Sequence, residues 1–178
     1  MDSTKKLLLD CLDHTKFGKN TGRANVTGID QELSDRYTAN SNWGKKIIGN
    51  PCQSITIGYI RPRHKMKTDP RELTKLTLKN LDLYELCKKY IKELQSDFEY
   101  TTICVNKNLV CKPHTDSKND SLSLIIGVGD YEGGDLFLDG VKYSIKDNFV
   151  IFNGCKQTHW NNEITSGTKY SLVFYKGG

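Results

Sequence analysis

No stretch of this 178-residue sequence is apolar for long enough to cross a bilayer as a helix, which takes about 20 residues. The first residues offer only Leu7-Leu8-Leu9 as an apolar patch, and Asp10 interrupts it. A signal-peptide core needs at least about seven apolar residues, so no secretory leader is expected. Cysteine pairs at zinc-binding spacing are missing as well. Cys11, Cys52, Cys87, Cys104, Cys111 and Cys155 include no CxxC, which argues against a structural zinc site. Cys104 and Cys155 sit in apolar runs, where a thiol behaves as a small hydrophobe. All six are expected as free thiols in a reducing intracellular compartment, with nucleus and cytoplasm both open. The chain has no internal repeat and no low-complexity tract. One domain over residues 1–178 is expected, with no membrane partner and a monomeric state.

What is present is an ordinary globular composition, 37% hydrophobic and 26% charged. The net charge of +5 is unevenly placed. Residues 1–100 hold 18 Lys/Arg against 13 Asp/Glu, and residues 101–178 hold 8 against 8. The densest basic segment is Arg61-Pro62-Arg63-His64-Lys65-Met66-Lys67. Arg61, Arg63, Lys65 and Lys67 are candidates for tracking a phosphate backbone; a solvated basic loop is the plainer reading.

Residues 4–13 read as a short helix with Leu8, Leu9 and Leu12 on one side. Residues 15–50 are rich in Gly, Asn, Thr and Ser and read as irregular. Residues 54–60 alternate with period two, as a strand does. Asp69-Pro70 marks a turn or helix start. Over residues 81–95, Leu83, Cys87, Tyr90, Ile91 and Leu94 recur at helical spacing, with Lys88, Lys89, Lys92 and Glu93 outside the stripe. Such a helix packs on the outside of a sheet. From residue 100 the pattern changes to short strands: 100–105, 122–128, 136–138, 141–145, 148–152 and 169–175. Asp130–Gly134 reads as a turn and Asp139-Gly140 as a hairpin signal. The expected fold is mainly β with supporting α. Residues 1–99 supply helical and loop support and a substrate-binding region, and residues 100–178 form a jelly-roll core.

His114-Thr115-Asp116 carries the chemistry. On extended backbone, residues two apart point to the same side, so both side chains can reach one ion. With His159 they make two imidazoles and one carboxylate, a set that occupies one face of an octahedral Fe(II) and leaves positions open. The same set can hold zinc or manganese, and HxD alone is a weak motif: a surface His–Asp pair beside a satisfied core histidine also fits. His14 and His64 are assigned to a helix end and to the basic loop. Ten residues after His159 come Lys169 and Ser171, again two apart. If their shared face is interior, the ammonium needs an anion, and the far carboxylate of a 2-oxo acid supplies one. An edge-strand surface lysine is the alternative.

Residues 100–175 resemble the Fe(II)/2-oxoglutarate-dependent dioxygenases with their double-stranded β-helix. Within that superfamily they are most similar to the TET/JBP family, which oxidises the 5-methyl group of pyrimidines in nucleic acid. The resemblance rests on Asn106-Lys107-Asn108, Lys112-Pro113-His114-Thr115-Asp116-Ser117-Lys118-Asn119, and Leu124 through Gly134. Phe152-Asn153-Gly154, His159-Trp160 and Tyr170 through Tyr175 complete it. It implies that His114, Asp116 and His159 ligate Fe(II), and that Lys169 and Ser171 hold 2-oxoglutarate. Asn119 matches a position that contacts the target base, although it also suits a turn. O₂ is the second co-substrate, and nucleic acid is the implied partner, DNA ahead of RNA. The family usually places arginine where this chain has Lys169; prolyl hydroxylases use lysine, so a prolyl- or lysyl-type protein hydroxylase is the alternative. The cysteine-rich zinc region of animal TET enzymes is absent, and a minimal catalytic module is expected.

Overall fold

The computed structural model describes residues 2–17, 53–61, 70–116 and 121–177. Its elements in chain order are α1 (Asp2–Asp13), β1 (Gln53–Ile60), β2 (Glu72–Leu73), α2 (Lys75–Lys79) and α3 (Leu81–Leu94). There follow β3 (Thr102–Lys107), β4 (Ser123–Val128), β5 (Tyr131–Gly133), β6 (Leu136–Leu138), β7 (Val141–Tyr143) and β8 (Val150–Phe152). The last three are β9 (His159–Asn161), β10 (Ile164–Gly167) and β11 (Tyr170–Tyr175).

Six strands form the major sheet in the order β2-β1-β3-β11-β4-β8. A three-stranded sheet, β7-β6-β9, and a two-stranded sheet, β10-β5, complete the β structure of the described residues. Every named strand pair is antiparallel. Alternation along β3, β4 and β11 separates two faces. Ile103, Val105, Leu124, Ile126, Leu172 and Phe174 pack with Leu8 and Leu12 of α1 and with Leu83, Cys87 and Ile91 of α3. Burying each of these large side chains contributes about 1.5–3 kcal/mol. The opposite face carries Cys104, Asn106, Ile125, Gly127, Ser171 and Val173. Leu136, Leu138, Ile145 and Phe152 form a smaller cluster against Ile125 on that side. The mainly β, jelly-roll architecture with helices on its outer face is as expected.

The helix over residues 81–94 and its buried stripe match the sequence pattern, with Tyr84 also buried and Leu94 at its margin. Thr4 of α1 donates to Glu93 of α3 at 2.8 Å, and the Tyr170 hydroxyl donates to Asp13 at 2.8 Å, tying α1 to both helix and sheet. Asp139 and Gly140 take φ of 47° and 84°, as a two-residue primed hairpin turn requires. Helix α2 begins at Lys75, capped by the Thr74 side chain; Asp69 of the Asp69-Pro70 signal lies outside the described residues.

Two local readings change. Tyr131–Gly133, within the predicted turn, is a strand paired with Ile164–Gly167 across a register shift. Its partner lies some thirty residues on, so nothing in the local pattern announces it. His159 opens β9, opposite Leu138 of β6 and after β8. Cys155 is half-buried in the 154–156 turn, not in an apolar run. The five cysteines among the described residues form no disulfide with one another. No helix among these residues is long and apolar enough to cross a membrane.

Candidate metal centre

The predicted ligands converge. His114, Asp116 and His159 each offer a ligand atom, and these atoms lie within 4.8 Å of one another. The backbone sets this up. His114 and His159 pair as an isolated antiparallel bridge, exchanging N–H···O bonds of 3.1 and 2.9 Å. Asp116 N–H donates to the Gly154 carbonyl at 2.8 Å. His114 Nε2 lies 3.8 Å from one Asp116 oxygen, and His159 Nε2 lies 3.6 Å from the other.

The tautomers follow from the remaining ring nitrogens. His114 Nδ1 is 2.8 Å from the Lys112 carbonyl, and His159 Nδ1 is 3.0 Å from the Gln157 carbonyl. A carbonyl only accepts, so each Nδ1 carries the hydrogen in the neutral ring. Each Nε2 then presents a lone pair toward Asp116, the orientation a metal-binding histidine needs. Gly154 leaves room for the carboxylate: a Cβ there would stand 2.4 Å from Asp116 Oδ2 and 3.4 Å from His159 Cε1. His159 is buried against Phe152, with ring centroids 5.1 Å apart, whereas the Asp116 side chain is 49% exposed. The cluster is walled on one side and open on the other. Two neutral imidazoles and one carboxylate at an open position suit a first-row divalent ion with exchangeable sites.

Residues that the sequence reading missed hold this frame. Asn161 accepts from Cys111 N–H at 2.8 Å and donates to the Leu109 carbonyl at 2.7 Å, fastening the segment before His114 onto β9. Asn153 accepts from the N–H groups of Cys155 and Lys156, and its own N–H donates to Gln157, closing the turn that leads from Gly154 to His159. The partners of Asn161 are 50 and 52 residues away, so spacing carried no signal there, whereas those of Asn153 lie within four residues.

Lys169 is 3% exposed and Ser171 is 5% exposed. Lys169 Nζ donates to the Gly134 carbonyl at 2.7 Å. Among the described residues no carboxylate makes an ion pair with it. Burial pushes its pKa down to about 8, against a smaller upward pull from Cys111 and Asp135. Asn108 fixes its backbone: the Asn108 side chain accepts from Lys169 N–H at 2.8 Å, and Asn108 N–H donates to the Lys169 carbonyl at 2.8 Å. The lysine is interior, not an edge-strand surface residue. A buried cation with one neutral partner is suited to an incoming carboxylate. Arg61 is half-buried just beyond β1. Asn119, Arg63, Lys65 and Lys67 lie outside the described residues, as do residues 18–50 of the 15–50 segment read from the sequence as irregular.

No protein-family description matches this sequence, and no curated protein does. Solved structures do. NgTET1 in complex with 5mC DNA superposes with a TM-score of 0.53 at 17% identity, over 82% of this chain and 66% of that one. The chain thus spans just under two thirds of that protein's length. A Burkholderia pseudomallei oxidoreductase of the 2OG-Fe(II) oxygenase family gives 0.45 at 16% identity, over 71% of this chain and 67% of that one. A Pseudomonas putida prolyl-4-hydroxylase gives 0.41 at 14%, over 99% and 87%. The chain therefore shares its fold with that solved TET structure.

Proposed function

We propose that this protein is an Fe(II)/2-oxoglutarate-dependent dioxygenase that oxidises the 5-methyl group of a pyrimidine, 5-methylcytosine or thymine, in nucleic acid. The observation that carries the reading is the His114–Asp116–His159 cluster, with both Nδ1 atoms tied to carbonyls and both Nε2 atoms turned to the carboxylate. Fe(II) with 2-oxoglutarate and O₂ would supply C–H oxidation, with release of succinate and CO₂. The residues of the chain do the rest. The two histidines and Asp116 hold the ion by one face, and Lys169 and Ser171 bind the far carboxylate of the co-substrate.

The pyrimidine reading draws on the likeness to NgTET1 and on the matching motif residues. A base within a duplex cannot reach such a site, so it must be flipped out or presented on a single strand. Strand register adds support. Ile57, Ile103, Phe174, Leu124 and Ile151 lie in one row across the major sheet. The basic segment therefore leaves β1 at the sheet end where β4 begins and where β8 runs on toward Gly154. Three strand spacings, about 14 Å, separate β1 from β4. Arg61 follows β1 at that end; with Arg63, Lys65 and Lys67 it would contact phosphates and make binding salt-sensitive, and Asn119 would meet the base. A protein hydroxylase is the second reading, favoured by lysine rather than arginine at position 169.

Nucleoside mass spectrometry tests both. An oligonucleotide holding 5-methylcytosine and thymine is incubated aerobically with Fe(II), 2-oxoglutarate and protein, with His114→Ala as control. Oxidised pyrimidine absent from the control supports the proposal and names the base. Unchanged bases, with His114-dependent release of succinate from 2-oxoglutarate when a peptide mixture is added, would replace it with the hydroxylase reading.

A further inference from the structure

The helix-covered side of the major sheet holds a second recess, away from Lys169. A groove of about 380 Å³ lies between the C-terminal half of α3 and the segment leading from it toward β3. That is the size of a small-ligand pocket. Lys88, Lys89 and Lys92 line it against one carboxylate, Glu85, and the half-buried rings of Phe98 and Tyr100 complete it. Glu85 lies 3.6 Å from Lys88. Lys89 and Lys92 are exposed and make no ion pair among the described residues. Cations favour a helix C-terminus only within its last turn, which accounts for Lys92 alone. Like charges at i and i+4, as at Lys88 and Lys92, disfavour a helix. Helix stability therefore does not explain the cluster. Aromatic rings accompany it. Tyr100 stands edge-on to Phe174 of the core, with ring centroids 5.2 Å apart. Tyr59 of β1 is 48% exposed. Burial raises the Tyr84 pKa above its ordinary value and nearby Tyr59 adds to it, while Lys88 Nζ lies 5.0 Å from the centre of the same Tyr84 ring. Tyr59 thus stands beside the groove. Its N–H donates to the Thr101 carbonyl at 2.9 Å, and Thr101 N–H donates to the Tyr175 carbonyl at 3.0 Å. Tyr100 therefore enters the sheet at the end where β1 and β11 finish. At that same end β4 begins and β8 runs on toward Gly154, whose carbonyl holds Asp116. The groove and the metal centre adjoin one end of the major sheet, the groove on its helix side and the metal on the other.

We infer that this lysine-lined groove, with Tyr59 beside it, holds the single-stranded flank of the nucleic acid whose target base enters the metal centre. The inference rests on the nucleic-acid reading of that centre. Lysines supply mobile point charges that suit the phosphates of a flexible backbone. Aromatic faces take bases that have left the stack, and such stacking tolerates any sequence. A duplex offers phosphates but no free base faces, so cations paired with an exposed phenol favour single strands. The strand passes over the sheet end, from the lysines on the helix side to the cluster on the other, with Arg61 two residues beyond Tyr59 on its way.

The test follows a labelled single strand of about 15 nucleotides, and the same sequence as a duplex, by fluorescence anisotropy across a salt series. Lys89→Gln combined with Lys92→Gln is expected to weaken the single strand about tenfold at low salt. Its log–log salt dependence should become shallower by about 1.4, the share of two phosphate contacts on a single strand. Tyr59→Leu should weaken the single strand about fivefold or more at every salt concentration, with the slope unchanged, and leave the duplex within about twofold. All three side chains are exposed, so melting and Mn(II)-dependent 2-oxoglutarate binding should match wild type in both variants. Unchanged single-strand affinity in either variant, or equal loss of duplex and single strand on Tyr59→Leu, overturns the inference and leaves the oxygenase reading in place. Lysine-dependent capture of poly-glutamate as tight as that of the single strand also overturns it, assigning the groove to an acidic protein. Wild-type protein that binds neither single strand nor duplex sinks the nucleic-acid reading and the inference together.

Discussion

The two faces of the major sheet are both largely buried, but only the one away from the helices carries buried polar side chains. Leu172 and Phe174 of β11 meet the helices, and Ser171, between Tyr170 and Leu172, is almost as buried on the other side. β3 repeats the pattern, with Ile103 and Val105 outward and Asn106 inward at 1% exposure. Burial alone does not mark a core. A face that stays polar once buried is maintained at a cost to stability, and what it is kept for is visible in Lys169.

Four substitutions sharpen this contrast. On the helix-covered face, Phe174→Ala should destabilise by about 3–5 kcal/mol in denaturant unfolding, through the cavity it leaves. A loss below about 1 kcal/mol would mean that this face is not the core. On the polar face the sign should reverse. The folded-state pKa of Lys169 lies near 8, below its ordinary 10.5. The unfolded chain thus binds more protons between those values, and stability of the unliganded protein should rise with pH from about 8 to 10.5. Lys169→Met should accordingly stabilise the unliganded protein at pH 7 by up to about 3 kcal/mol and abolish that pH dependence. In the wild type, 2-oxoglutarate affinity should fall as pH rises above about 8, because the ammonium is lost. A flat binding profile to pH 10 would show that the lysine does not hold the anion.

At the metal end, Asp116→Ala should weaken Mn(II) or Co(II) binding about 100-fold or more, near 2.7 kcal/mol, with little change in melting of the metal-free protein. Half exposure of that carboxylate is the reason stability should be indifferent to it. Smallest of the four, Ser171→Ala should cost about tenfold in 2-oxoglutarate affinity and leave unfolding within about 1 kcal/mol of wild type. Equal loss for 2-oxobutyrate would place Ser171 away from the distal carboxylate.

What could be read from the chain beforehand divides along a physical line. Period-two and period-3.6 patterns are local, so β1, α3 and β11 were legible within a residue or two. The spacing of His114 and Asp116 is likewise a property of three consecutive residues on extended backbone. Lys169 was legible because a cation opening an apolar strand raises the question of its partner. What stayed hidden depends on pairing across distance. Tyr131–Gly133 has turn composition and becomes a strand only because Ile164–Gly167 lies beside it. Asn161 looks like a loop residue until its partners, 50 and 52 residues away, are known. Gly154 and Gly127 matter for what a side chain would strike, which no one-dimensional pattern records.

The reciprocal bridge between His114 and His159 has a mechanical consequence. It ties together two points some 45 residues apart, and an ion bound at both imidazoles would close that loop as a crosslink does. Closing a loop of that size restricts the unfolded ensemble, much as a disulfide would, but reversibly and only while the ion is held. Metal supply would then set the lifetime of the folded chain as well as its reactivity, and a chelator would be a denaturing agent in slow motion.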